Sequence, residues 1–194
     1  GVLAIAREEK VDAVISDQND MMMPTVAYVA EHMGLPGNGI KVVHDYCDKN
    51  AFRDNCDKVG IPVPKHCSVS EVAVPEGMKD VPLPWVVKPA DAQSSVGVEK
   101  VNTLEEYFVA IKTAIEVSKT HTAIVEEFFK GQELVAEGFI YEGEYYNLGF
   151  ADRKYFALDN LFIPSQTVFP SLVPIHVLNS IRKCEEKMAA LVKP

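Results

Sequence analysis

The sequence predicts an α/β front followed by α+β sheet-and-helix units, and three observations carry that prediction. A β-branched run, "VDAVIS" at residues 11–16, leads through "DQND" into "MMMPTVAYVAEHMG". "PWVVKPADAQSSVGVEKV" reads as two strands around a small, polar break. "TAIVEEFFKGQELVAEGFIYEGEYYNLGFADRKYF" alternates strand-like runs with turn residues. At 194 residues the chain can form one large domain or two or three small subdomains over a shared core.

Each element has a local reason. In the second run Val26, Val29, Ala30 and Met33 share one helical face before Gly34, so residues 11–34 read as a strand–helix unit. The glycines of 34–39 follow a helix instead of separating a strand from one, so they read as a helix cap and turn and not as a dinucleotide fingerprint. Asp48 is placed to cap a helix burying Phe52, Cys56 and Val59, with Gly60 as its stop and Pro62 and Pro64 forcing an extended exit. "SVSEVAVPEGMKDVPLP" is a turn-rich connection. Thr103 and Glu106 form a capping-box pattern ahead of a helix with Leu104, Phe108, Ile111 and Ile115 on one face. Three strands follow, near 123–128, 133–141 and 144–151, as an antiparallel meander with a hairpin turn at Glu142-Gly143. A last helix aligns Val177, Ile181, Cys184, Met188 and Leu191.

Composition narrows the function. Apolar residues make up 47% and charged ones 24%, and the net charge of −9 argues against a nucleic-acid partner, whose phosphates need a basic surface. Cys47, Cys56, Cys67 and Cys184 form no CxxC pair, and the five histidines show no metal-ligand spacing, so no metal site is assigned and a reduced chain is expected. No run of about 18 apolar residues and no leader-like start is present, so no membrane partner is expected and cytoplasm is the predicted location. The opening "GVLAIAREEK" reads as a chain entered partway through a fold.

The break after Lys88 has two readings. It is either a solvent-exposed hairpin connection or a phosphate cover, in which small residues let backbone N–H groups and the Ser94 and Ser95 hydroxyls approach an anion. Lys88 favours the cover: Trp85, Val86 and Val87 predict burial, and a buried cation needs a partner. Pro89 biases Lys88 toward extended backbone, which fixes where its side chain points. Glu126 and Glu133, across Lys130-Gly131, can face one cleft, with Phe128 or Phe129 as an apolar wall for a base. On these residues alone a solvated acidic strand end explains them better.

The ordered set "DKNAFRDNCDKVGIPVP", "PWVVKPADAQSSVGVEKV" and "IVEEFFKGQELVAEG" resembles the ATP-grasp superfamily, closest to the carbamoyl-phosphate synthetase large-subunit and biotin carboxylase type. The loop is also similar to that of D-alanine–D-alanine ligase. The resemblance spans roughly residues 11–194 and rests on three motifs in order. It implies a partial Rossmann-like pre-ATP-grasp segment over 1–46, an ATP-grasp small or lid subdomain with its phosphate loop over 47–128, and the first part of a larger subdomain over 129–194, an incomplete ATP-grasp fold of two α+β subdomains. By the same resemblance Lys49 reaches nucleotide phosphates, Lys88 lies between adenine and phosphates, and Gln93, Ser94, Ser95, Val96 and Gly97 form the mobile cover. Glu126, Glu127, Phe128 and Phe129 match the segment that reads adenine, and Glu133 matches the ribose-binding acid.

The implied chemistry is that of a ligase: ATP with Mg²⁺ activates a small carboxylic acid as an acyl phosphate, which an amine, ammonia or similar nucleophile attacks. The family's metal ligands come late, and Asp152, Asp159, Glu185 and Glu186 lie in the wrong elements to replace them. Those ligands are therefore expected beyond Pro194, and the chain is expected to be a truncated and inactive portion of a longer enzyme. The alternatives are a non-catalytic nucleotide-binding module and a purely structural α/β domain. Exposed sheet edges would favour association into a homo-oligomer.

Overall fold

The computed structural model describes residues 1–16, 19–156 and 162–192. Asp159 and the last two residues, Lys193 and Pro194, lie outside the described residues, as does part of "DQND". The fold is mixed α/β, with two antiparallel sheets.

The front of the chain is helical, with α1 (Val2–Glu8), α2 (Met23–Met33) and α3 (Ile40–Cys47). Residues 11–16, expected to be a strand, join no sheet among the described residues, and Ile15 is 87% exposed. β-branched side chains suit a pleated surface, but a strand is completed only when a neighbour takes its backbone hydrogen bonds. α2 buries Val26, Ala27, Val29 and Ala30, as its stripe predicts. It ends on Gly34 at φ +66°, where Leu35 N–H reaches back to Ala30 O at 2.9 Å. That left-handed cap suits glycine. The helix α3 was not expected; the Glu31 carboxylate accepts from Ile40 N–H at 2.9 Å and so caps it from α2.

Helix α4 (Lys49–Lys58) starts where its cap predicts, with Asp48 Oδ1 accepting from Ala51 N–H at 2.9 Å. The chain then enters the first sheet, whose order is β1 (His66–Val69), β4 (Ala123–Glu127), β2 (Trp85–Pro89), β3 (Glu99–Val101). All its neighbours are antiparallel. Helix α5 (Leu104–Val117) lies across this sheet and its Thr103 cap is in place, Oγ1 accepting from Glu106 N–H at 3.2 Å. The Glu106 carboxylate returns to Asn102 N–H at 2.6 Å, one residue before the usual partner. The inward face is Tyr107, Ala110, Ile111 and Ala114, a correction to the predicted stripe, of which only Ile111 is fully buried. Two alanines bring the helix axis close to the sheet, which rotates the larger Leu104 and Phe108 outward.

That sheet and helix hold the core: Trp85, Val87, Val101, Tyr107, Ile111, Ala123 and Val125 are all at most 3% exposed. The Trp85 and Tyr107 rings meet edge to face at 5.4 Å, and their polar tips are satisfied by Val81 O and Ala73 O.

The second sheet is β5 (Glu133–Tyr141), β6 (Glu144–Tyr155) and β7 (Pro164–Val168), in that order and antiparallel. The predicted meander therefore lies one strand later than expected. The strand at 123–127 instead sits between β1 and β2, because residues 128–132 carry the chain from one sheet to the other. The Glu142-Gly143 turn is as predicted, with both residues at positive φ (50° and 81°). Helix α6 (Ile175–Ala189) packs behind this sheet, where Asn147 Nδ2 donates to Glu185 at 2.9 Å.

Candidate nucleotide site

Four charged side chains from three elements meet where the two sheets adjoin. α4 supplies Lys49 and Arg53, one turn apart and so on one face. β2 supplies Lys88, and β4, its hydrogen-bonded neighbour, supplies Glu126. The Glu126 side chain is only 4% exposed and accepts from both cations: Lys88 Nζ at one oxygen, Arg53 Nε at the other at 2.5 Å. Burial works against ionisation of Glu126, but the Lys88 charge and the Arg53 hydrogen bond outweigh it and hold the carboxyl below its ordinary value. Burial, with the Lys88 charge close by, also pushes Lys49 down, below the usual lysine range.

Lys49 ties this cluster to the loop. Its ammonium donates to Ala92 O at 2.6 Å and Ala90 O at 3.4 Å, and its backbone N–H donates to Ala90 O at 3.0 Å. The root of the loop is pinned again by Asp91, whose carboxylate accepts from Lys119 and Thr120 N–H at 3.2 and 3.1 Å. Beyond the root the backbone turns through left-handed positions at Ser94, Ser95 and Gly97. Two serines in that region are costly unless the surroundings hold them. A Cβ on Gly97 would stand 2.9 Å from Pro89 Cγ, so close packing as well as φ requires glycine there. Gln93 O accepts from Val96 N–H at 3.1 Å, and Val96 is 54% exposed.

The far wall comes from the second sheet. Ser95 Oγ donates to Phe162 O at 2.7 Å, and the Phe162 ring stands 6.3 Å from Phe128 and 6.2 Å from Tyr155. Tyr155 donates in turn to Glu133. Burial, reinforced by Glu133, pushes the Tyr155 phenol up to about 12. Lys100 Nζ lies 4.6 Å over the Phe128 ring. The N–H groups of Glu127 and Phe128 are engaged by Lys65 O and Pro84 O, while the Phe129 ring is 64% exposed.

The residues singled out from sequence fall in two groups, with the Phe129 ring exposed. Lys49, Lys88 and Glu126 contact the loop root or each other; Glu133 joins only through Tyr155 and Phe162. Arg53 and Tyr155 were missed. The four-residue spacing of Arg53 from Lys49 on a helix was a usable signal; for Tyr155 it was the hairpin, whose Glu142-Gly143 turn folds β6 back along β5 and brings Tyr155 to the end that carries Glu133. A cavity of about 790 Å³ lies on the other side of Arg53, among α3, α4, β5, β6 and α6. Its lining is mainly apolar, with Arg53 and Glu185 its only charged side chains, so the chemistry concentrates at the Glu126 cluster instead. Among the described residues no three His, Cys, Asp or Glu side chains gather to hold a metal.

The family model described as D-ala D-ala ligase C-terminus matches residues 56–145, the stretch carrying the first sheet, the loop and the β5–β6 hairpin. The L-amino acid ligase from Bacillus licheniformis superposes on 98% of the chain with a TM-score of 0.75 at 21% identity. The chain's homologues are ATP-grasp ligases. Alanine–anticapsin ligase of Bacillus subtilis (strain 168) is 23% identical over 175 residues, covering 78% of this chain. The carbamoyl phosphate synthase large chain of Methanocorpusculum labreanum is 23% identical over 137 residues, covering 67% of it. The chain spans 37% and 13% of these two relatives and 44% of the Bacillus licheniformis structure.

Proposed function

We propose that this chain is the ATP-binding portion of a ligase that joins a carboxylic acid to an amine, ammonia or a similar nucleophile. The observation that carries the reading is the convergence of Arg53 and Lys88 on one buried carboxylate, with Lys49 at the root of the adjoining Ser/Gly loop, in a chain whose net charge is −9. Three cations against one buried carboxylate leave a local positive excess that a polyphosphate would match. ATP, when bound, supplies the phosphoryl group that turns a carboxylate into an acyl phosphate open to attack. Lys49 and Lys88 neutralise phosphate charge, while the amides and hydroxyls of Gln93, Ser94, Ser95, Val96 and Gly97 close over it and exclude water. Phe128 and Phe129 flank the base, Glu126 and Glu127 frame its edge, and Glu133 accepts from the ribose hydroxyls.

In this reading residues 47–128 act as the lid, 129–194 begin the larger subdomain, and 1–46 form the preceding segment. Mg²⁺, which the family uses, has no matching donor set among the described residues: Glu126 is committed to two cations and no acid cluster stands beside it. The partners are ATP, a small carboxylic acid and a nitrogen nucleophile, and the setting is the cytoplasm; among the described residues no helix is long and apolar enough to cross a membrane.

Calorimetric titration with ATP tests the reading. Lys88→Ala should weaken binding by about 1.5–3 kcal/mol, roughly ten- to a hundredfold, the loss of a charge-assisted hydrogen bond. Equal affinity for ATP before and after the substitution would overturn it.

A further inference from the structure

We infer that Arg53 is a positioning residue of the nucleotide site, acting through Glu126. The inference rests on the nucleotide reading above and adds a residue to which the motif that contains it gave no role. Glu126 has two oxygens and each is occupied by a different cation, Lys88 at one and Arg53 Nε at the other. The arginine comes from α4 and the lysine from β2, so the carboxylate is the one charged link joining the helix that carries Lys49 to the strand that carries Lys88. Lys49 in turn holds the loop root through Ala90 O and Ala92 O. Helix, strand floor and phosphate loop are thereby fixed relative to one another through a single buried acid.

The bonding decides which cation is structural. A lysine ammonium has three donors in a freely rotating set, so Lys88 can keep Glu126 with one and offer the others to a phosphate. Arginine presents its Nε and Nη donors in a rigid planar fork, and here Nε is spent on Glu126. The Arg53 side chain also lies 5.9 Å from the ring of its neighbour Phe52 and lines the apolar cavity behind the cluster. It faces the nucleotide position from behind the carboxylate, which suits support and not direct contact. Without Arg53, one oxygen of Glu126 loses its donor and the acid collapses onto Lys88 alone. The ammonium is then drawn toward the carboxylate and away from the cleft, and α4 is free to carry Lys49 outward.

A double-mutant cycle read by ATP titration separates this from simple destabilisation. Arg53→Met should weaken ATP binding about tenfold, and Arg53→Lys should recover part of that loss because one charged donor to Glu126 returns. In a Glu126→Gln background the same Arg53→Met change should alter affinity by less than about twofold, since the group through which arginine acts is already neutral. A thermal melt on each variant identifies any that is unfolded at the titration temperature, and Arg53→Lys then carries the comparison in both backgrounds. Equal losses in the two backgrounds would mean that Arg53 contacts the nucleotide itself, and no loss in either would mean that it is a bystander; each overturns the inference. If Lys88→Ala weakens ATP while Arg53→Met does not, the positioning role fails and the nucleotide reading stands. If the unsubstituted chain binds no ATP, both fail together.

Discussion

The two sheets differ in how they are covered. In β2 and β4 all but two of ten side chains are buried, whereas in β5 none is, and Phe139, Tyr141, Tyr146 and Leu148 of the β5–β6 hairpin stand between 47% and 65% exposed. The first sheet carries α5 on its face and the cationic cluster at its end; the second contributes Glu133 and Tyr155 from strands with little cover. The difference teaches where precision comes from. The side chains that must neutralise charge, Lys88 and Glu126, stand on the rigid half, and the groups that would only border a ligand stand on the open one.

The largest effect expected from this contrast is at Trp85. Replacing it by alanine removes a ring that is 3% exposed, breaks the edge-to-face contact with Tyr107 and leaves a cavity between α5 and the first sheet. The cost should be about 3–5 kcal/mol, read as a lower urea midpoint at unchanged slope. A loss under about 1 kcal/mol would mean that the first sheet is not the stability centre.

Next in size is Glu126→Gln, which strands two cations around a neutral amide and should cost about 3 kcal/mol at pH 7. The pH dependence has a definite sign. Glu126 is held below its ordinary 4.5 in the folded chain, so its contribution is present above about that pH and is lost as pH falls through the lowered value. Acid unfolding followed from pH 7 to pH 2 should therefore show a steeper loss for the parent chain than for Glu126→Gln. Parallel curves would remove Glu126 from the set of stabilising carboxylates. A smaller effect belongs to Thr103→Ala, which takes the cap from α5 and should lower stability by about 1 kcal/mol in the same urea assay.

These sites also mark how far the sequence could be read. Capping and turn chemistry are local, and there the reading held: Asp48, Thr103, Gly34 and Glu142-Gly143 sit as expected because each needs only its near neighbours. Lys88 was legible as a buried cation needing a partner, and Glu126 supplies it. What depended on distant partners was not legible. Residues 11–16 have strand-forming side chains and, among the described residues, no strand beside them. The strand at 123–127 was assigned to the wrong sheet, since its alternation says that it pairs but not with what. The face of α5 was misread by weighing side-chain size over the close approach that alanine allows. Arg53 was legible only as a second cation on the face of Lys49, one turn on, and its partner was not, because Glu126 lies far along the chain.

The smallest expected effect is the most direct test of the contrast. Leu148 lies at the irregular register of β6 opposite Glu137 and Gly138, and its side chain is 65% exposed. If the outer face of the second sheet meets water, Leu148→Ser removes little buried area and should change the urea midpoint by no more than about 0.5 kcal/mol in free energy. The same substitution should cost several times more if that face is covered in solution, because an apolar side chain under cover contributes about 25 cal/mol for each Å² withheld from water. Running the measurement at two protein concentrations tells the two kinds of cover apart. A cost that grows with concentration requires association through this sheet, since only binding to another chain makes stability depend on how much of it is present. A cost independent of concentration would require cover from within the same polypeptide and would cancel the distinction between a rigid half and an open one.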